Sequence, residues 1–478
     1  MSESSTKSYS PPRVLSVFSL VMINVIAVDS IRTLPMAATY GFSLVSLYII
    51  AALAFFIPTA LITAELATTW PLKGGLYAWV KIAFGPKWGL CVVYLQWIYN
   101  VVWYPTILTL IASTIAYLID PSLVQNASFM TTVVLTTFWG CTALNFFGMR
   151  ISSAVSTFGS ILGTLGPMII IILLAGAWLK RGNTPEIEFS LGHLFPKINS
   201  FSAIAELVFF SQIVYSLLGL EMSAVHALEV KNPKKDYPKA LLISAVIILL
   251  SLILASLAVA VVVPHKELSN LTGIIQAFNL FSEEFHITWL GPFIAVAILI
   301  GGVCAVATWI IGPTKGLFAA ADDGLLPECL AKTNRYGVPM SMLLIQGIIC
   351  SLLTLVYVLL PTVEGAYFLL SAMAAQLSLL MYAILFAAAI RLRYSEPNAV
   401  RPFKIPGKNW GMWLVAGAGI VISLSVVLLG FIPPSSKVEL GDVLLYETYL
   451  VGGIITILVP IFLIHTPRKK SMPVSMPL

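Results

Sequence analysis

The chain has 478 residues, 59% hydrophobic and only 10% charged, against about 25% charged in an ordinary soluble domain. With a mean hydropathy of +0.95 this excludes a soluble fold, and at about 20 apolar residues per bilayer crossing the length holds around a dozen spans. Unbroken apolar runs such as 241–263 exclude a β-barrel, whose strands alternate over about 10 residues. The net charge of +6 comes from 27 Lys and Arg scattered in short loops, too few and too dispersed for a nucleic-acid-binding face.

The polar N-terminus, MSESSTKSYSPPR, runs into an apolar segment with no small-residue cleavage site, so the first span is expected to be retained. Apolar runs between Gly, Pro and charged breaks define twelve expected spans: 14–40, 43–68, 86–118, 128–147, 153–179, 201–229, 238–263, 288–320, 338–360, 364–392, 411–432 and 444–465. An even number places both termini on one side. With the N-terminus inside, 21 Lys and Arg fall in inner segments, five outside (Lys180, Arg181, Lys197, Lys266, Lys437) and one, Arg32, within a span. That asymmetry assigns both termini to the cytoplasm. The longest connections, 180–200 and 264–287, leave no room for an accessory domain, so 14–465 is expected to be one membrane domain between tails 1–13 and 466–478. No phosphate-binding loop occurs, and any transport must run on gradients rather than on ATP. The five cysteines (Cys91, Cys141, Cys304, Cys329, Cys350) form no CxxC pair and read as free thiols. No metal or cofactor is expected.

A charge at mid-bilayer costs about 2.5 to 3.5 kcal/mol on insertion scales and calls for a partner or a polar cavity. In the first span Asp29 and Arg32 lie three apart on one helical face. Either they form an internal ion pair that tolerates burial, or the stretch Val28–Pro35, with Ser30 and Ile31 between the charges, is an interruption whose backbone faces a solute, Pro35 lacking a donor. In the third span Tyr99, Asn100, Trp103 and Tyr104 share one face, and the amide of Asn100 favours a cavity lining over plain packing. The sixth span repeats the first: Tyr215, Ser216, Gly219 and Glu221 place a glycine and a carboxylate within an apolar helix. Two interrupted helices half a chain apart point to inverted repeats, about 14–179 and 201–392, around a midplane site. Half-helix N-termini would then face an anion and free carbonyls a cation, which suits a zwitterion. Gly159 and Gly163 read as close helix packing. Trp309, followed by Gly312-Pro313, is either a gate or a core residue. Lys315 is either a gate pairing with Glu65 or Glu229, or a basic residue snorkelling from a helix end.

The segments Gly41-Phe42-Ser43-Leu44, Ala64-Glu65-Leu66-Ala67-Thr68, Gly74–Val80, Gly219-Leu220-Glu221, Asn232–Pro238, Trp309–Gly316 and Arg401–Gly407, taken in order, resemble the amino acid–polyamine–organocation superfamily. Within it, the chain is most similar to the bacterial glutamate/γ-aminobutyrate antiporter family, over nearly its whole length. The resemblance implies a leucine-transporter-like fold of twelve helices in a 5+5 inverted repeat, with helices 1 and 6 broken. It also implies residence in the bacterial inner membrane and alternating-access exchange of one amino acid for another amino acid or amine. The family's Gly-Ser-Gly turn falls here on Val28, Asp29 and Ser30, so a carboxylate stands where the substrate's own would sit. Either Arg32 takes over the substrate carboxylate, or Asp29 holds an ammonium and favours amines. Tyr215 and Trp309 match aromatic gate positions, and Tyr99, Asn100 and Tyr104 match lining positions. The long C-terminal plug of acid-resistance members has no counterpart in residues 466–478. Any pH dependence then falls to Glu221, Asp29 or the loop histidines His193, His265 and His286. The fifth span lacks the lysine of proton-coupled members, which favours exchange over symport. Implied partners are amino acids or amines and the lipid bilayer, without nucleic acid, as monomer or homodimer. A proton-coupled amino acid or polyamine permease is the nearest alternative. A non-transporting sensor would need a signalling domain that the short loops do not supply, and an intramembrane enzyme would need a motif that is absent.

Overall fold

The structure is a computed structural model, described over residues 15–72, 74–147, 159, 161–196, 208–432 and 443–463. The expected tails, the starts of spans five and six and the side chain of Glu229 lie outside the described residues. Among the described residues the chain is helical throughout, with a single isolated bridge between Leu15 and Val230. Eleven helical segments are long and apolar enough to cross a membrane, and the stretch Val208–Ala224 is shorter. The protein is a multi-pass membrane protein.

The first crossing consists of α1 (Val17–Val28) and α2 (Leu34–Ala38) with one 3₁₀ turn between them. Ser16 caps α1, its hydroxyl accepting the Ser19 N–H at 3.2 Å. The second crossing runs through α3 (Leu44–Ala51), a π turn at Ala52–Phe56 and α4 (Ile57–Thr69). Residues 69–85, expected as connection, contain α5 (Leu76–Phe84), entered through Gly74 and Gly75 at φ 90° and 44° and left through Gly85 at φ 93°. Only glycine adopts such angles freely, so the chain can turn twice within a few residues. There follow α6 (Pro86–Ile119), α7 (Ala127–Phe146), α8 (Gly166–Lys180) and α9 (Val208–Tyr215), then a 3₁₀ stretch Leu220–Glu229.

In the second half α10 (Pro233–Val262) is continuous. The expected loop 264–287 contains the amphipathic helix α11 (Gly273–Glu284), which buries Ile274, Ile275, Phe278 and Phe281. The eighth crossing, expected as one helix, divides into α12 (Leu290–Trp309) and α13 (Gly312–Asp322) at Pro313, whose missing N–H cannot continue the ladder. The rest are α14 (Met340–Thr354) with the one-turn α15 (Val356–Leu359), α16 (Val363–Ser395), α17 (Lys408–Leu429) and α18 (Val443–Leu463). Exposed Leu250, Leu352, Leu414 and Leu428 give the bundle an apolar outside, while its centre holds α6 and α16, the most buried crossings.

Glu65 of α4 answers one open expectation. It pairs with neither Lys315 nor solvent: Arg393 of α16 grips its two oxygens at 2.7 and 2.6 Å, and the Ile405 N–H donates at 2.8 Å. Arg401 approaches at 3.2 Å and donates to the Leu392 and Glu396 carbonyls, both at 2.9 Å. Arg393, which the charge count placed among inner surface residues, is buried. The cluster ties α4, α16 and the segment 396–407 into one unit. Nearby in the sequence pattern, Tyr77 and Lys81 of α5 both donate to Asp323 at 2.5 Å, with Lys81 and Asp323 partly exposed.

Removing one member of a buried ion pair costs about 3 to 5 kcal/mol because the partner charge is stranded. Glu65→Gln is therefore expected to lower the melting temperature of the purified protein strongly, whereas Lys81→Ala, in a solvated pair, should cost about 1 kcal/mol or less. Equal effects would contradict this ranking. Burial raises the Asp323 carboxyl, but hydrogen bonds from Lys81 and Tyr77 outweigh it and hold the group below its ordinary value. Its stabilisation should be complete above about pH 4 and fade as pH falls through the lowered value. The melting difference between wild type and Asp323→Asn, followed from neutral to acid pH, should shrink only at the acid end.

Candidate substrate site at two helix breaks

After Val28 the chain leaves the helical region: Asp29 has φ −62°, ψ 127° and Ser30 φ −146°, ψ 124°. Both are extended, so the i→i−4 ladder stops and peptide groups turn toward the bundle interior. The second break follows Tyr215. Gly219 stands at φ +116°, and its N–H donates to the Tyr382 hydroxyl of α16 at 2.9 Å. That hydroxyl in turn donates to Glu221. The two breaks touch, because a Cβ on Gly219 would lie 3.0 Å from the Ala27 carbonyl oxygen. Glycine at 219 is thus required twice, for its angle and for this approach.

Between the breaks lies a cavity of about 100 Å³, room for several waters or one small solute. The first break lines it with Asp29, Ser30, Ile31 and Arg32, the second with Tyr215, Ser216 and Gly219, and α6 with Tyr99 and Asn100. Trp103, Ile107 and Leu110 continue the same face of α6 at helical spacing. Trp309 closes one wall at the end of α12, its ring 5.9 Å from that of Trp103. The opposite wall is formed by Gly163, Gly301 and Gly302.

Four expected residues stand elsewhere. Tyr104 does not line the cavity; its hydroxyl donates to the Trp309 carbonyl at 2.9 Å and so fixes the break between α12 and α13. Glu221 sits behind the second break, on Tyr382. Glu65 belongs to the buried cluster above. Lys315 lines a separate hollow beside Tyr336 and Leu343. The hydrogen-bond need that argued for Asn100 as a lining residue is met within α6, where its amide donates to the Gln96 carbonyl at 2.7 Å.

Asp29 and Arg32 do not pair, although helical spacing would allow it, because the break between them turns them to different helices. Both oxygens of Asp29 lie at 3.0 and 2.9 Å from the single Ser251 hydroxyl of α10. Arg32 donates to Tyr367 at 3.2 Å and Ser371 at 3.3 Å, both on α16, and its guanidinium stands 5.5 Å from the centre of the Tyr215 ring. Asp29 is 6% exposed and Arg32 4%, and Arg32 Nε has no partner. A second hollow of about 10 Å³, one water in size, flanks Arg32 beside Tyr367 and Asn270. The hydroxyls of Ser251, Tyr367 and Ser371 were missed in the sequence because isolated serines and tyrosines on apolar helices carry no pattern.

The glycines expected to pack closely do so. A Cβ on Gly163 would fall 2.4 Å from the Gly301 Cα, and one on Gly159 would fall 2.7 Å from the Cys304 side chain. Gly163→Leu should therefore force α12 away, at about 1 to 3 kcal/mol or more of stability, and reduce solute binding with it. Unchanged melting and binding in this variant would show that the contact has slack.

The amino acid permease family profile matches residues 13–459. An uncharacterized transporter of Legionella pneumophila subsp. pneumophila is 49% identical over 443 residues, covering 93% of this chain and 94% of the relative. A glutamate/gamma-aminobutyrate antiporter of Lactococcus lactis subsp. lactis is 30% identical over 462 residues, 96% of this chain and 91% of the relative. A probable agmatine/putrescine antiporter of the same organism is 24% identical over 466 residues, 97% and 96% of the two chains. A chain-long profile match, full-length likeness to transporters and a polar cavity between broken helices agree: this chain belongs to the amino acid permease family.

Proposed function

We propose that the protein is a secondary active antiporter, exchanging an amino acid for another amino acid or an amine by alternating access. The observation that carries the reading is the cavity between the two helix breaks, where one carboxylate and one guanidinium are buried without neutralising each other. Charges are costly at membrane depth, and a solute of complementary charge offsets that cost. The twelve-helix, 5+5 inverted-repeat arrangement accounts for two breaks half a chain apart that meet around one site, all within a single transporter domain at 14–465. Both termini are then cytoplasmic, which the lysine and arginine asymmetry supports, and the membrane is the bacterial inner membrane, which the bacterial relatives support.

In this reading Arg32 stands between the cavity and the second hollow beside Tyr367, so that reorienting its side chain opens or closes one route. Trp309 closes the other side. Glu221 with Tyr382 holds the second break in its unwound form and is placed to respond when the solute leaves. The amine-transport alternative is supported by Asp29, the one carboxylate among the described residues that line the cavity, and by likeness to a relative named as an agmatine/putrescine antiporter.

Reconstituted protein should take up labelled amino acid into vesicles loaded with unlabelled counter-solute and show little uptake into empty ones. Equal uptake into empty vesicles excludes obligatory exchange, and uptake that follows an imposed proton gradient without internal solute supports the permease alternative.

A further inference from the structure

We infer that Gln346 of α14, which does not line the cavity, is a positioning residue for it: its amide holds the break between α12 and α13 so that Trp309 stands against the solute, and thereby limits the length of solute admitted. This rests on the reading of the cavity as a substrate site and adds what sets its size.

The break creates the need for a hold. Pro313 has no N–H, so the carbonyl of Trp309, four residues earlier, loses the partner that a continuous helix would supply. The Tyr104 hydroxyl donates to it at 2.9 Å. The next carbonyl, that of Ile310, accepts from the Thr314 hydroxyl at 2.9 Å and from the Gln346 amide nitrogen at 3.4 Å. Gln346 Oε1 in turn accepts the Trp97 indole N–H at 2.9 Å, and the Thr314 hydroxyl lies 3.3 Å from it. An indole N–H can only donate, so Trp97 fixes which end of the amide faces it and leaves the NH₂ end for Ile310. A buried amide is costly unless its polar atoms are used. Gln346 is fully buried, and both of its polar ends are engaged.

The hold acts on Trp309 from a fixed base. Helix α14 is fastened to α7, where Trp139 donates to the Ser351 hydroxyl at 3.0 Å and a Cβ on Gly347 would fall 2.5 Å from the Trp139 ring. Helix α6 supplies the other end. Its Trp97 and Tyr104, two turns apart, reach the break through Gln346 and directly, while Trp103 meets the Trp309 ring at 5.9 Å. Trp309 lines the cavity, whereas Ile311, two residues on, lines the separate hollow of about 80 Å³. The break is thus a partition whose tilt decides how far the indole projects into a space that holds one small solute. Without the amide, the Trp97 N–H loses its acceptor and Ile310 one of its two side-chain donors. The partition can then lean toward the second hollow and widen the cavity.

The test compares wild type with Gln346→Met, which keeps the length of the side chain and removes both polar ends. The first readout is the experimental structure of the purified variant, in which the Trp309 ring is expected to stand farther from Trp103. The second is equilibrium binding of two homologous series of two to six carbons, unbranched 2-amino acids and unbranched α,ω-diamines. Wild type should reject a member one methylene too long by about tenfold or more, as a fitted pocket does, and the variant should bind that member nearly as well as the shorter one. A merely structural role lowers affinity across a series by one factor and leaves its order intact. That result, a wild type indifferent to length, or a Trp309 ring that stays in place overturns the inference. Trp97→Phe removes the donor that orients the amide and should shift the same ratio in the same direction. Combined with Gln346→Met it should add nothing, because both act through one amide. Should Gln346→Met fail to fold, Trp97→Phe decides by the same two readouts. Absence of binding by both series sinks the substrate-site reading, and the position of the ring then decides this inference alone.

Discussion

A peptide group that leaves a helix inside a bilayer must find a partner within the protein, because lipid offers none. Everything around the cavity follows from meeting that need twice. At the first break two extended residues give up the ladder for a single 3₁₀ turn, whose Thr33 hydroxyl returns a bond to the Ser30 carbonyl at 3.2 Å. At the second, Gly219 hands its N–H to Tyr382, a side chain more than 160 residues away in sequence. Since the Ala27 carbonyl sits against Gly219, neither break can close into a regular helix without displacing the other. The cavity is what remains between two helices that cannot both be continuous.

The buried charges divide by how completely they are satisfied. Glu65 is gripped by Arg393 in a two-bond fork, takes the Ile405 N–H and has Arg401 alongside; nothing further can be added to it. Such saturation is the mark of a structural joint, here between α4, α16 and the segment before α17. Asp29 and Arg32 are equally buried and equally anchored, yet only by hydroxyls, which orient a charge without cancelling it. The difference lies in the net charge of each neighbourhood rather than in depth or in the number of contacts. A joint is complete by itself, whereas Asp29 and Arg32 keep a net charge that the proposed solute would offset.

Much of this was legible in the sequence, and the reasons differ residue by residue. The breaks at Asp29–Ser30 and Gly219 were readable because charge, glycine and proline are costly inside apolar helices, so their presence there demands an explanation. Gly159 and Gly163 were readable as a packing pair from spacing alone. Of the two alternatives for Asp29 and Arg32, the neutralising pair fails because spacing of three implies a shared face only while the helix continues; once it unwinds, the two point to α10 and α16 instead. The partner of Glu65 was not legible because it lies about 330 residues on, and Arg393 looked like any basic residue at a helix end. Helices α5 and α11 were hidden by their shortness, nine and twelve residues, and by their amphipathic faces, which a search for crossings passes over.

The same contrast bears on how such a site can move. Another wall is glycine on glycine, Gly163 against Gly301, where the two backbones meet directly. The breaks themselves are held by tyrosine hydroxyls, Tyr382 on one and Tyr367 on the other, and both sit on α16. That helix is also the one fastened to α4 through Arg393 and Glu65. One helix therefore carries the holds on both breaks and on the joint, while the glycine wall brings two backbones together at Gly163 and Gly301. Under the proposed exchange, relative motion between the fastened body and the glycine-lined wall would change the width of the cavity while leaving the saturated charges undisturbed. It would act instead on Asp29 and Arg32, whose anchors lie on different helices.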